Sequence, residues 1–318
     1  MTKVTTATPR GDCPVWRNFL HNVTGGDEEL QNYLQRVVGY CLTGDVSTHA
    51  LFFLYGTGAN GKSVFVNVIS TVLGDYAANA PMDTFMESRT DRHPTDLAGL
   101  RGARFVSATE TEQGRRWNES KVKAITGGDK ISARFMHKDF FEYTPQFKPV
   151  IVGNHKPAIR NIDEAMRRRL HMIPFTVTIP PERRDPRLTE KLLAERDGIL
   201  AWAVQGCLDW QRHGRLAPPH RVVEATEEYF EAEDALGRWL DERCVRVGTA
   251  KSLTAELFTD WKQWAEAAGE FVGSQKRFAD LLLTRGLEKW RNGMGLRGFQ
   301  GIGLKAPPTP AYTPYSDN

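Results

Sequence analysis

Four cysteines in 318 residues, Cys13, Cys41, Cys207 and Cys244, stand far apart and never form a C-x-x-C pair. That spacing supports neither a zinc knuckle nor a disulfide framework, and buried thiols are the simplest reading. No apolar run approaches the roughly 18 residues of a membrane span, and the polar N-terminus lacks a signal-peptide core. A cytoplasmic protein with no membrane partner is expected. Charge of one sign is scarce too: 42 Lys and Arg against 39 Asp and Glu leave +3, too mild to establish a nucleic-acid partner. No internal repeat is evident, which argues against a solenoid.

What charge there is gathers locally, at Arg115-Arg116, Lys121 to Arg134, Arg167-Arg168-Arg169, Arg183-Arg184 and Lys276 to Arg297. Any one such cluster more commonly marks a solvated face. The length allows two domains and a small third.

Residues 1–11, rich in Thr and poor in apolar side chains, predict a disordered leader. Over 12–49 the apolar residues Trp16, Phe19, Leu20, Leu30, Tyr33, Leu34, Val37 and Val38 recur three or four apart, a helical segment. An α/β core is predicted over 50–178, with strands at Ala50 to Tyr55, Ala103 to Ala108, Phe147 to Gly153 and Leu170 to Phe175. A helix near Asn118 to Ile125 and a hairpin from Ile131 to Phe141 lie between them. Strands alternating with helices imply a parallel sheet covered on both faces. A helical region follows over 179–247, with apolar stripes at Leu188 to Leu193, Ile199 to Trp210 and Val222 to Cys244. Over 248–305 two helices, the second capped by Ser274, and a Gly-punctuated hairpin read either as a winged helix or as a packing subdomain. Residues 306–318, with four prolines, predict a flexible tail.

The most informative run is Gly56-Thr57-Gly58-Ala59-Asn60-Gly61-Lys62-Ser63, launched from the first strand. It satisfies G-x-x-x-x-G-K-[ST], the P-loop that cradles nucleotide phosphates. Glycines let the backbone approach a polyanion, Lys62 supplies charge to the β/γ-phosphates, and the Ser63 hydroxyl can ligate Mg²⁺. The helix behind it, Ser63 to Leu73, points its positive N-terminal end at the phosphates. ATP and Mg²⁺ are therefore the expected cofactors, with Lys62 on an exposed loop free of core contacts.

Hydrolysis needs further acidic groups, and Glu110 and Glu112 follow a strand expected to run alongside the P-loop strand. Glu110 suits metal coordination and Glu112 water activation, though the roles can be exchanged. Asn154 ends the next strand, where an amide can sense the γ-phosphate through the attacking water; an ordinary turn residue is the alternative. In a ring, one of Arg167, Arg168 and Arg169 can reach the neighbouring subunit's ATP.

The strings G-T-G-A-N-G-K-S at Gly56, S-A-T-E-T-E at Ser107, I-T-G-G-D at Ile125, G-N-H-K-P at Gly153 and M-R-R-R-L at Met166 resemble, in order and spacing, the helicase domain of phage and plasmid primases. That family belongs to the superfamily 3 helicases, a branch of the AAA+ ATPases, and the similarity covers about Cys13 to Leu304. It implies that Gly56 to Ser63 is Walker A, Glu110 and Glu112 the Walker B region and Asn154 sensor 1. Arg168 or Arg169 resembles the arginine finger, with Arg168 taken as the catalytic candidate. The stretch Ile125 to Lys138 resembles a motif whose hairpin grips single-stranded DNA, which places Arg134, His137 and Lys138 as DNA-binding candidates.

The resemblance further implies a homo-hexamer that unwinds forked or single-stranded DNA in phage, plasmid or mobile-element replication. Nothing ahead of the P-loop resembles a polymerase-type acidic site, so priming is not carried over; a separate primase or polymerase is the expected partner. The rival expectation is an ATP-switched initiator or loader that binds DNA without processive unwinding.

Overall fold

A computed structural model describes residues 11–88, 95–109, 114–160, 162–291, 293 and 295–305 of the chain. The leader through residue 10 and the tail from residue 306 lie outside them. Two compact units meet in sequence between Glu233 and Asp234, a boundary inside the helical region expected over 179–247.

The first unit opens with α1 (Pro14–Thr24) and α2 (Glu28–Cys41). Pro14 begins α1, where a missing N–H costs nothing, and Gly25, left-handed at φ 68°, ends it. Asp27 caps α2 by accepting from Leu30 N–H at 2.9 Å, with Glu28 and Glu29 favourable in the first turn. Three-four spacing buries Trp16, Phe19 and Leu20 of α1, and Tyr33, Leu34 and Val37 of α2.

The strands β1 (Leu51–Tyr55), β2 (Ala77–Asn79), β3 (Phe105–Thr109), β6 (Lys148–Gly153) and β7 (Leu170–Pro174) form one parallel sheet in the order β2-β3-β6-β1-β7. Between β3 and β6 the chain makes the separate antiparallel hairpin of β4 (Ile131–Ala133) and β5 (Phe141–Tyr143). Four of the five sheet strands are read from their apolar runs. The fifth, Ala77-Ala78-Asn79 at the sheet edge, carries no such pattern. One expectation is corrected here: β3 does not run alongside the P-loop strand, because β6 lies between them, with Val150 paired to Phe52 on one side and to Ser107 on the other.

Parallel strands need crossovers, and helices lie on them: α3 (Lys62–Leu73), α4 (Thr95–Ala98), α5 (Glu119–Gly127) and α6 (Glu164–Arg167) fall between successive strands of the sheet, while α7 (Leu188–Ala194), α8 (Arg196–His213) and α9 (His220–Glu233) follow its last strand. Alternate residues of β1 serve opposite layers. Phe52 and Leu54 pack into a core with α1, α2, α3 and α8. Leu51 and Phe53 pack into a second core with α5 and α9. Burying each of these phenylalanines contributes roughly 1.5–3 kcal/mol, so both faces are held shut by the same strand. The first layer is tightest where α2 crosses α8. A Cβ on Gly39 would stand 2.0 Å from Cys207 N, and one on Gly206 2.0 Å from Gln35 O, so the two backbones touch.

The helix expected over Val222 to Cys244 is broken in two where the units meet in sequence. Asp234 leaves the helical path and accepts from Gly237 N–H at 2.9 Å, ending α9 and capping α10 (Ala235–Arg243). Then come β8 (Cys244–Val245), β9 (Lys251–Leu253), α11 (Thr254–Ala267), α12 (Gln275–Thr284), β10 (Glu288–Arg291), β11 (Arg297–Gln300) and β12 (Gly303–Leu304). Ser274 caps α12 as expected, accepting from Arg277 N–H at 3.3 Å. β9, ahead of α11, joins β10 and β11, behind α12, in a three-stranded antiparallel sheet β10-β11-β9, and the unit has a core of Trp239, Trp261 and Phe278.

Candidate functional site

The chain leaves β1 at Tyr55 and must reverse into α3 within six residues. Gly56 passes so close to the end of β7 that a Cβ there would lie 2.0 Å from Phe175 O. Gly61 has φ 84°, the left-handed conformation glycine adopts without penalty. Ala59 takes a similar conformation, φ 49°, at a cost of roughly 1–2 kcal/mol for an L-residue. Its carbonyl is held by Ile179 N–H at 2.8 Å.

Lys62 is not on an exposed loop free of contacts, as the sequence suggested. Only 4 % exposed, it opens α3 and turns back across its own loop. Its ammonium donates to Gly56 O at 2.8 Å, Asn60 Oδ1 at 3.1 Å and Asn154 Oδ1 at 3.2 Å. Burial holds its pKa below the ordinary lysine value. Asn60 is fixed in turn, donating to Phe175 O at 2.7 Å. The motif leaves this position free, yet its amide both ties the loop to β7 and orients the lysine, a role the sequence reading missed. Thr57, Ala59 and Ser63 are exposed, with Gly58 partly so.

Asn154 reaches Lys62 because β6 is the direct neighbour of β1 and ends one residue before it. The following Lys156 lies 4.2 Å from the Tyr55 ring centroid, which fastens this turn to the end of β1. β3 ends at Thr109 on the same edge of the parallel sheet. Glu110 and Glu112 themselves lie outside the described residues. Groups of three or more metal-ligating side chains are absent among the described residues, and the four cysteines are free thiols.

The three consecutive arginines have three different surroundings. Arg167 pairs with Glu227 of α9 at 2.7 Å and lies over the Phe230 ring. Arg169 is buried, donating to Thr126 Oγ1 at 3.0 Å and Ala165 O at 2.7 Å, and that burial, with the Arg168 charge beside it, lowers its pKa. The I-T-G-G-D string thus supplies an anchor for Arg169. Arg168 alone of the three is exposed, and its side chain has no hydrogen bond or ion pair among the described residues.

At the hairpin tip Lys138 N–H closes a turn on Phe135 O at 3.0 Å, with His137 left-handed at φ 58°. His137 and Lys138 are exposed, and Arg134 lies 4.8 Å over the Phe140 ring. The sequence reading passed over the apolar side chains between them. Phe135, Met136 and Phe140 are 48, 71 and 59 % exposed, a clustering that adjacent aromatics within a basic loop could have signalled. Phe135 stacks on Phe141, which stacks on Tyr143, so the tip is stiffened by a column of rings.

Among the described residues no helix is long and apolar enough to cross a membrane. Residues 54–169 match the model of DUF5906, a family of unknown function. The chain is 29 % identical over 261 residues to "Putative helicase L207/L206" of Acanthamoeba polyphaga mimivirus and 27 % identical over 266 residues to "Putative helicase 022R" of Frog virus 3. These alignments cover 75 and 76 % of the chain. African swine fever virus contributes "Putative primase C962R", 22 % identical over 240 residues. The chain spans about a quarter of these relatives' own length, 27, 27 and 25 %. Among solved structures, the C-terminal region of NrS-1 in its apo form superposes with TM-score 0.57 at 12 % identity, covering 94 % of this chain and 78 % of that one. The α/β fold is therefore shared with the NrS-1 C-terminal region, and the sequence is similar to viral proteins named for helicases and primases.

Proposed function

We propose that the chain is an ATP-dependent DNA helicase of superfamily 3 type, related to phage and plasmid primase helicases, that works in DNA replication as a ring of six copies. The observation that carries this reading is the meeting of the P-loop lysine with Asn154 on the neighbouring strand, 3.2 Å apart. A phosphate-binding cation and a polar strand end so placed suit both binding and sensing of a γ-phosphate.

In this reading ATP places its phosphates against the N-terminus of α3, where glycines leave the backbone N–H groups accessible. Lys62 exchanges Gly56 O and Asn154 for phosphate oxygens, which leaves the Asn154 amide to hold the attacking water. Glu112 orients that water, and Ser63 with Glu110 would hold Mg²⁺. Held there, the ion would supply positive charge against the phosphates. Arg168 is the finger for the adjacent copy, because Arg167 and Arg169 are already engaged; such a contact accelerates hydrolysis by about 10³ to 10⁵.

The hairpin is the DNA element. Arg134, His137 and Lys138 suit backbone phosphates, while Phe135, Met136 and Phe140 suit unstacked bases, at about 1–3 kcal/mol for each base stacked on an aromatic ring. Hydrolysis in the ring moves this hairpin along one strand.

A fluorescently labelled fork tests the proposal. Strand separation that requires ATP and vanishes in Glu112→Gln is the expected result. ATP-dependent binding and local melting with no strand separation would make the protein an initiator or loader instead.

A further inference from the structure

The basic run from Lys276 to Arg297 belongs to the second unit, and it lines a cavity of about 750 Å³ there. One wall is α12, which presents Lys276, Ala279 and Asp280 at helical spacing. The other wall is the ribbon of β10 and β11, and Leu253, Ala255 and Leu296 add apolar surface between the two.

The charge on the ribbon follows from strand alternation. Lys289 pairs with Phe299 and Arg291 with Arg297, so these four side chains share one face. Phe299 buries that face in the core with Trp261 and Phe278. Two residues nearer the turn, the same face carries only Arg291 and Arg297, directly opposite each other, a pairing of like charges that destabilises a sheet. Lys276, Lys289, Arg291 and Arg297 are all exposed, and none has a side-chain hydrogen bond or ion pair among the described residues. Asp280 is the one acid in the lining. The first turns of α11 and α12 border the same space, at Thr254 and Gln275, and add the positive ends of two helices.

Positive charges concentrated at a cost, with almost no counter-charge, suit a polyanion. We propose that this recess binds a single strand of nucleic acid, its phosphates on Lys276, Lys289, Arg291 and Arg297 and an unstacked base against the apolar surface. A duplex is read by a helix or ribbon that projects into a groove about 12 Å wide, whereas these cations face inward, across the recess from α12. An extended strand can enter it, and its bases can meet Leu253, Ala255 and Leu296 because no pairing partner covers them. The site requires no ATP and is separate from the β4–β5 hairpin, so it stands or falls independently of both.

Fluorescence anisotropy of the full chain without ATP tests it, with labelled oligothymidylate, a duplex of the same length and polyglutamate as probes. Each titration is repeated in a chain carrying Lys138→Ala and Phe135→Ala, which removes the β4–β5 hairpin as a competing site. In that chain oligothymidylate should still bind, about tenfold or more above duplex or polyglutamate. Adding Arg291→Thr and Arg297→Thr should weaken it about tenfold and lower the slope of log affinity against log salt by about 1.4, or 0.7 for each phosphate no longer neutralised. Threonine keeps strand propensity and removes the opposed charges, so the melting temperature should hold or rise, which a merely structural role would not allow. Lys276→Gln, on the opposite wall, makes the same measurement should the paired variant fail to fold, with a slope change of about 0.7. Tighter duplex binding would make the surface a duplex reader, equal polyglutamate binding would make it a site for an acidic protein segment, and unchanged oligothymidylate binding in both variants would leave it a solvated basic face. Each of these outcomes overturns the proposal.

Discussion

Lys62 Nζ stands 3.2 Å from Asn154 Oδ1, although 92 positions separate the two residues in sequence. The bond exists because β1 and β6 are neighbours in register, and it joins the cation of the P-loop to the polar end of the adjacent strand. Each residue fixes the other, the Asn154 amide oxygen accepting from the buried ammonium.

Lys62→Ala should abolish ATP hydrolysis. Because the ammonium is buried and donates to three acceptors, the substitution should also cost about 1–3 kcal/mol of stability, seen as a lowered unfolding midpoint. Asn154→Ala should separate the two effects. ATP affinity stays within about threefold while turnover falls on the order of 100-fold, as for loss of one transition-state hydrogen-bonding group. Equal loss of affinity and turnover would leave Asn154 no sensing role.

The three arginines should respond differently. Arg169→Ala removes the bonds to Thr126 Oγ1 and Ala165 O and should lower the melting temperature, whereas Arg168→Ala should leave it unchanged. Arg168→Ala should lose hydrolysis yet recover part of it when mixed with Lys62→Ala subunits, through interfaces that pair two intact halves. Absence of recovery in rings shown to exchange subunits would make Arg168 act within its own copy.

At the hairpin, charge and rings predict different salt responses. Lys138→Ala should flatten the salt dependence of single-strand binding by about 0.7 for each phosphate no longer neutralised, with basal ATP hydrolysis preserved. Phe135→Ala should weaken binding about tenfold or more at every salt concentration, because stacking does not release counterions. Fluorescence anisotropy over a salt series reads both. Parallel behaviour of the two variants would reduce the hairpin to a non-specific basic surface.

A pH effect on stability follows from His171 on β7. Its ring is packed among Tyr33 and Phe52, with Nδ1 2.7 Å from the Tyr33 hydroxyl, and burial lowers its pKa to about 4. The unfolded chain therefore binds more protons between about pH 4 and pH 6.5, so stability contributed here is intact above about 6.5 and is lost as pH falls toward about 4. The full loss is at most about 3 kcal/mol by linkage. Urea titrations at about pH 7 and about pH 5 should show it, and His171→Gln should flatten the difference; an unaltered pH slope in that variant would assign the effect to other groups.

Local signals were legible in the sequence wherever the physics is local. A sharp turn from strand into helix needs glycine where the backbone is crowded or left-handed, so Gly56 and Gly61 read directly. Central strands buried on both faces are continuous apolar runs, and helix stripes recur at three and four. Caps are equally local, which is why Ser274 is visible. Asp234 is the same chemistry, and it went unread only because apolar spacing continues across it from Phe230 to Leu236.

Tertiary structure decided whatever depends on which segments become neighbours. Strand order put β6 between β1 and β3 and so brought Asn154 to Lys62, since hydrogen-bonded pairing joins strands irrespective of their separation along the chain. Three identical arginines acquired separate environments through Glu227 on α9 and Thr126 on α5, residues distant in sequence that satisfy two of them and leave Arg168 in solvent. Packing likewise pressed Phe19 and Val23 of α1 against Gly61, turning a helix that reads as a lead-in into one wall of a cavity. Composition and spacing specify what each segment can bury or bond; the partner it meets is set by the cooperative closure of two cores around one sheet.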